Sequence, residues 1–356
     1  MRSAIVHYWL LNMRGGEKVV EALCRLLPDA DIFTLFYDPD RVSPVIREHK
    51  VTASFLNPLR RSYRSLLPLM PMALENFDLR EYDLVVSSES GPAKGVLTPS
   101  RTRHVCYCHT PMRYLWELYP AYRREWAGAA WKRALMAPLA HYLRLWDYST
   151  AARVDEFVAN SENVRRRIQK TYRREAEVIH PPVAVESFRH EQPEDYFLVV
   201  SELVAYKRID AAVRACTKAG RRLRIVGDGP AYRALRRAAG PRVEFCGRVD
   251  DATLQGLYAR CRALLVPGEE DFGMNAVESL ASGKPVIGVA RGGVLESVGT
   301  GEPPCGVLYA EADGLEGALE RFEATESEFQ PRELQRAAAR FSESEFAKKM
   351  TRVLGL

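Results

Sequence analysis

Val266-Pro-Gly-Glu-Glu-Asp-Phe-Gly-Met-Asn-Ala-Val-Glu-Ser-Leu-Ala-Ser-Gly-Lys-Pro-Val-Ile287 passes from an apolar strand pattern through an acidic Pro/Gly loop into a helical pattern, then into a second strand. Strand, loop, helix and strand in that order make the βαβ unit of a parallel sheet. Ala276, Val277, Leu280 and Ala281 recur at helical spacing and form one buried face. The loop therefore presents Glu270 before the helix and Glu278 about one turn into it. The leading amides, around Gly273, Met274, Asn275 and Ala276, are expected to face an anion, each charge gaining roughly 0.3 to 1 kcal/mol from the helix dipole. A diphosphate suits that end; a solvated acidic loop capping an ordinary helix is the alternative.

The same alternation extends in both directions. A first set of strands reads as Ser3 to Trp9, Asp31 to Phe36, Asp83 to Ser87, His104 to Cys108, Phe157 to Asn160 and Val178 to His180. A second reads as Tyr196 to Val200, Leu223 to Val226, Val243 to Phe245, Ala263 to Val266, Val286 to Val289 and Gly306 to Tyr309. Helical patterns fill the gaps, such as Val19, Val20, Leu23, Leu26 and Leu27 between the first two strands. The fold class is therefore α/β, with two Rossmann-like, doubly wound parallel sheets. At 356 residues the chain exceeds what one core usually serves. The Pro181-Pro182 to Pro193 stretch, broken by prolines, is the hinge.

Other polar turns follow strand ends, where open α/β sheets bind ligands. In Arg224-Ile-Val-Gly227-Asp228-Gly229-Pro230 the glycines permit close backbone approach, but the third glycine of a dinucleotide fingerprint is Tyr232 here, so the NAD reading fails its own spacing. Lys207 and Arg208 follow the strand 196–200, as phosphate-binding cations or as solvated surface charges. Met13-Arg14-Gly15-Gly16-Glu17-Lys18 joins a strand to a helix, through either a ligand-approaching or a plain turn. His109 follows the strand 104–108, and Ser88 to Gly95 forms a polar loop suited to a sugar or acceptor.

Residues 101–174 hold fifteen Lys or Arg against six acids, interleaved with Tyr114, Trp116, Tyr119, Tyr122, Trp126, Trp131, Tyr142 and Trp146. Such a mixture suits an anionic membrane surface, or a solvated helical surface with aromatics turned inward. The net charge of +5 is mild and suits small anionic ligands, and no module for nucleic acid organises it, so none is expected. Composition is that of a globular protein, with 47% hydrophobic and 27% charged residues. The start enters a strand without a secretory pattern, and Leu66 to Leu74 is proline-broken and too short to span a bilayer. Seven cysteines in mostly apolar runs suit reduced thiols. A cytoplasmic protein, with peripheral contact at the inner face of the membrane, is expected.

These residues resemble the retaining GT-B glycosyltransferases of the large fourth family. The likeness rests on Glu270-Asp-Phe-Gly-Met-Asn-Ala-Val-Glu278, similar to that family's paired-glutamate motif, and on Ala281-Ser-Gly-Lys-Pro-Val-Ile287 after it. Gly15-Gly16, His109, Ser161, Lys207, Gly227-Asp228-Gly229-Pro230 and Gly292-Gly293 also fit its pattern. The resemblance implies two domains facing across a cleft: 1–182 for the acceptor, with a C-terminal helix of about 338–356 packing back on it, and 183–337 for the nucleotide sugar. It implies Glu278 on the donor ribose, Glu270 on the transferred sugar, the amides of Met274 to Ala276 on the diphosphate and Lys207 against the leaving phosphates. His109 would meet the sugar near the reaction centre, and Gly15 and Gly16 the phosphates. Backbone near Gly247-Arg248-Val249 would meet the base. Where the family usually carries arginine this chain has Glu202, so that contact is absent or falls to Arg208.

The closest flavour, from His109-Thr-Pro-Met-Arg-Tyr, Tyr206-Lys-Arg-Ile-Asp and Glu269-Glu-Asp-Phe-Gly, is similar to polysaccharide or O-antigen mannosyltransferases using GDP-mannose. The implied reaction moves a hexose to a lipid-linked or oligosaccharide acceptor with retention of configuration. It needs no cofactor and no metal, since His and Cys spacing fits no zinc site. A UDP-sugar donor, a nucleotide-sugar epimerase and a noncatalytic membrane-associated assembly module are the competing readings.

Overall fold

The computed structural model describes residues 1–125, 130–299 and 304–356. Trp126 lies outside the described residues, as do the side chains of Arg124, Glu125, Trp131, Lys132 and Arg133. The chain forms two compact units, residues 1–180 with 347–356, and residues 181–346.

The first unit is a seven-stranded, all-parallel sheet. Its strands are β1 (Ser3–His7), β2 (Asp31–Thr34), β3 (Val51–Ala53), β4 (Leu84–Glu89), β5 (Arg103–Cys108), β6 (Glu156–Ala159) and β7 (Ala176–Val178). The order β3-β2-β1-β4-β5-β6-β7 reverses direction between β1 and β4. That is a topological switch point, where two βα loops diverge and leave room for a ligand. β3 escaped the sequence reading because Val51-Thr-Ala53 is too short to carry a pattern. β7 lies two residues earlier than expected, pairing Ala159 with Val178, and β1 stops at His7. The helix α1 (Gly15–Leu26) buries Val19, Val20, Leu23 and Cys24, the expected stripe apart from a half-buried Leu26.

Helices α2 (Met70–Glu75) and α3 (Ala130–Thr150) are tied by the Trp146 indole N–H donating to Glu75 (3.0 Å). They cover a core of Ala4, Val6, Phe33, Val85 and Trp146. Trp116, Tyr114 and Tyr119 pack against the same core, so the inward reading holds for these aromatics. Residues 347–356 belong to this unit, and the Arg103 guanidinium donates to the carbonyl of Leu354 (3.2 Å).

The second unit repeats the design with six parallel strands: β8 (Phe197–Val200), β9 (Leu223–Val226), β10 (Val243–Gly247), β11 (Leu264–Val266), β12 (Val286–Val289) and β13 (Gly306–Tyr309). The order β10-β9-β8-β11-β12-β13 places the switch point between β8 and β11. Successive side chains alternate between two cores, Phe197, Val199 and Leu265 in one, Leu198, Leu264 and Val266 in the other. Period two with both faces buried is what helices on both sides of a parallel sheet require. The C-terminal helix expected at about 338–356 spans Glu343–Leu354, and a separate helix, Pro331–Ala339, precedes it. The break falls where the Phe341 carbonyl accepts the Val183 amide (2.9 Å) in a short parallel bridge between Val183 and Ser342, which a continuous helix excludes.

Candidate functional site

In the second unit the two loops leaving the switch point carry Lys207 and Glu270, and their side chains form an ion pair, each 15% exposed. Burial works against the Lys207 ammonium, but Glu270, with Tyr206 and Asp271 beside it, outweighs that and holds its pKa above the ordinary lysine value. Close backbone packing sets the pair. A Cβ on Gly268 would sit 2.5 Å from the Lys207 carbonyl oxygen. The Glu270 carbonyl accepts the Gly293 amide (2.8 Å), and a Cβ on Gly293 would lie 2.2 Å from the Phe272 Cα.

Helix α4 (Asp251–Arg260) and helix α5 (Met274–Ala281) supply the other groups. Gly273 caps α5 in the left-handed region, φ +92°, which favours a residue without Cβ. Of the three amides expected to meet a diphosphate, that of Ala276 is engaged, by the Gly273 carbonyl (3.0 Å) and by the side-chain oxygen of Asn275 (2.9 Å). The Asn275 side-chain amide donates to the Val200 carbonyl (3.1 Å), fixing the head of α5 to the end of β8. The Met274 and Asn275 amides, in the first turn, precede any intrahelical acceptor. Glu278, 7% exposed, lies one turn further on and accepts the Tyr258 hydroxyl at Oε2 (2.9 Å).

The remaining expected donor residues are placed as follows. A Cβ on Gly227, φ +129°, would meet the Ser201 carbonyl oxygen at 1.9 Å, and one on Gly229 the Leu203 oxygen at 2.5 Å. Both glycines back the loop that carries Lys207. Val249 packs half-buried on the core around Val266 and Phe272. Arg208 is half-exposed and paired with Glu311 (2.9 Å) and Asp210 (3.7 Å).

The first unit gathers a second group at its switch point. His7 ends β1 and pairs in register with Ser88 of β4, whose carbonyl lies 3.2 Å from His7 Nδ1. The Ser88 hydroxyl lies 2.8 Å from Nε2 of His109, which follows β5. A Cβ on Gly16 would lie 2.9 Å from the Tyr8 hydroxyl, 3.5 Å from His7 Cε1 and 3.8 Å from His109 Nε2. Gly15 opens α1, where Glu17 accepts the Arg14 amide (3.0 Å), and burial pushes the Glu17 carboxyl up to about 7. Burial, then the neighbouring His109, pushes His7 down to about 3, so it is neutral and its buried Nε2 has no hydrogen-bond partner among the described residues.

The polar loop 88–95 is less open than expected. Lys94 is wholly buried and paired with Glu89 (3.2 Å) and Asp147, while the Trp116 indole (2.7 Å) and the Tyr172 hydroxyl (3.1 Å) also donate to Asp147. That cluster fastens α3 to the end of β4. His7 and Tyr258 were missed from sequence because each sits in an apolar pattern, where one polar atom leaves no signature. Among the described residues no three His, Cys, Asp or Glu side chains gather as a metal-binding group.

Residues 13–187 match the family model described as Glycosyltransferase Family 4, and residues 184–341 the one described as Glycosyl transferases group 1. An uncharacterized glycosyltransferase of Methanocaldococcus jannaschii is 28% identical over 149 residues, 40% of this chain and 42% of that protein. The GDP-mannose-dependent alpha-(1-6)-phosphatidylinositol dimannoside mannosyltransferase of Mycobacterium tuberculosis is 37% identical over 102 residues, 28% of this chain and 26% of that protein. The chain thus spans less than half the length of these curated relatives. Among solved structures, Anabaena HepE with UDP-glucose superposes with a TM-score of 0.73 at 16% identity over the full length of both chains. Sucrose-phosphate synthase from Thermosynechococcus elongatus gives 0.71 at 18% identity, covering 99% of this chain and 98% of that one. At these identities the structural likeness is one of fold.

Proposed function

Because the chain belongs to the group 1, family 4 glycosyltransferases and has their GT-B fold of two Rossmann-like domains, we propose that it moves a hexose, mannose from GDP-mannose, to a hydroxyl of a lipid-linked or oligosaccharide acceptor with retention. The observation that carries this reading is the grouping of the paired Lys207 and Glu270, the Met274 and Asn275 amides and Glu278 at one switch point. In the reaction the bond from the sugar C1 to the diphosphate breaks and a bond from C1 to the acceptor oxygen forms on the same face. The acceptor proton passes to the departing phosphate oxygen. The protein's share is charge stabilisation and positioning. Lys207 and the head of α5 meet the developing phosphate charge, Glu270 holds the sugar and Glu278 the ribose. Lys207 and the helix head serve in place of a divalent ion, so turnover persists in excess chelator; loss restored by magnesium or manganese overturns that point.

The mannosyl donor is supported by the named activity of the mycobacterial relative over the matched segment. A UDP-sugar donor is the second reading, favoured by the UDP-glucose bound to the Anabaena protein. A thermal-shift panel separates them: GDP-mannose gives the largest rise in melting temperature, and a uridine compound winning reassigns the donor. Incubation with GDP-mannose and a lipid-diphosphate oligosaccharide enlarges the lipid product; free altered sugar alone sinks the transferase reading in favour of an epimerase.

Lipid contact through residues 101–174 belongs to the same proposal. Among the described residues no helix is long and apolar enough to cross a membrane. Tyr142, Leu145 and Tyr148 of α3 are each half or more exposed and stand on one helical face, the kind of surface that lies on a bilayer.

A further inference from the structure

Tyr258 is wholly buried on the inner face of α4, with the Phe188 ring edge-on at 5.8 Å. Phenylalanine fills such a place as well, and a buried hydroxyl costs stability unless it is hydrogen-bonded. Its bond is to Oε2 of Glu278, on the neighbouring α5. Glu278 is held from behind as well, because its carbonyl accepts both the amide (3.1 Å) and the hydroxyl (3.0 Å) of Ser282. With the backbone fixed from one side and one carboxylate oxygen from the other, the remaining freedom of the Glu278 side chain is small. A carboxylate has about four acceptor sites on its two oxygens, so one phenol bond sets its direction while keeping capacity for a further donor.

We propose that Tyr258 is a positioning residue that aims the Glu278 carboxylate at the vicinal hydroxyls of the nucleotide ribose. This rests on the reading of Glu278 as the ribose contact. The phenol bond takes up one lone pair and fixes the rotamer, so the hydroxyl pair meets a carboxylate already turned toward it, without an ordering cost on binding.

The test is a binding cycle on the full chain, with GDP, UDP and their 2′,3′-dideoxy counterparts as probes. Wild type binds the ribonucleotide more tightly than the dideoxy compound. Tyr258→Phe weakens the ribonucleotide roughly ten- to hundredfold, the worth of one hydrogen bond to a charged group, and leaves the dideoxy affinity unchanged. In a Glu278→Gln background the same Tyr258→Phe change has no further effect on either, since the two act as one unit. Equal weakening of both nucleotides, or no weakening of either, overturns the positioning role and leaves a merely structural bond. Wild type binding both forms equally overturns the assignment of Glu278 to ribose, and the inference with it.

Discussion

Lys207 and Glu270 are paired with each other, yet the proposed reaction uses them separately, the ammonium against the departing diphosphate and the carboxylate against the sugar. Donor binding therefore divides the pair, and each member is expected to matter on its own. Lys207→Met removes the side-chain cation proposed to meet the leaving group and lowers kcat by roughly 10² to 10³, as loss of a single stabilising donor does elsewhere. A kcat within twofold of wild type, with KM raised, makes Lys207 a ground-state contact only. Two glycines separate sterics from backbone conformation. At Gly293, φ is near −69°, so alanine is conformationally acceptable there, but its Cβ would lie 2.2 Å from the Phe272 Cα. Gly293→Ala is expected to cost roughly 1 to 3 kcal/mol by overpacking and to displace the Glu270 backbone. At Gly220, φ +63°, nothing lies near a Cβ, and alanine costs only the left-handed conformation, roughly 1 kcal/mol. Melting curves check this: G293A unfolds at lower temperature than G220A, and only G293A loses activity beyond its loss of folded protein.

Helix α5 was legible in the sequence because its apolar face, its Gly273 cap and its two glutamates all fall at helical spacing. Asn275 was expected to offer its amide to the ligand; its side chain proves to be the clamp between α5 and β8. Nothing in residue type distinguishes those uses, since the clamp depends on a β8 carbonyl that is distant in the chain. Asn275→Ala removes that bond and the cap on Ala276 together and is expected to destabilise the second unit by roughly 1 to 2 kcal/mol. An unchanged denaturant midpoint refutes the clamp. Helix α3 divides the aromatics that sequence could only count. Trp146 is buried against Glu75, whereas Tyr142, Leu145 and Tyr148, at intervals of three residues, are exposed. Which face of an amphipathic helix is covered depends on its partner, here α2, whose position no local pattern records. If α3 lies on lipid, Leu145→Glu lowers co-sedimentation with phosphatidylglycerol vesicles several-fold, without altering the melting temperature. Unchanged sedimentation removes this face from the lipid proposal.

Across the whole molecule, acid stability turns on which state holds the protons. Burial pushes His7 and His104 down to about 3 and about 4, from an ordinary 6.5. It pushes Glu17 and Glu89 up to about 7, from an ordinary 4.5, with Lys94 opposing the shift at Glu89. The histidines contribute stability that is complete above pH 6.5 and is lost as pH falls toward 4 and 3, because only the unfolded chain takes up their protons. The glutamates act in the opposite sense: their protonated, folded forms are favoured below pH 4.5, and that contribution is lost as pH rises to 7. Between pH 4.5 and 6.5 the unfolded chain therefore holds two protons on the histidines and the folded chain two on the glutamates, so the slopes cancel. From pH 4.5 to about 4 the unfolded chain holds all four and the folded chain two; below about 4 folded His104 takes up its proton, leaving one in excess until His7 follows near 3. Stability falls by roughly 1.4 kcal/mol per pH unit for each excess proton, so the fall is steepest just below pH 4.5 and ends near pH 3. The denaturant midpoint of the first unit is thus expected to be flat from pH 6.5 to 4.5 and to drop steeply below. His104→Gln removes one proton from the unfolded side alone, so its midpoint should rise on acidification from pH 6.5 to 4.5. A variant profile as flat as that of wild type shows that His104 does not carry the depressed titration on which the balance depends.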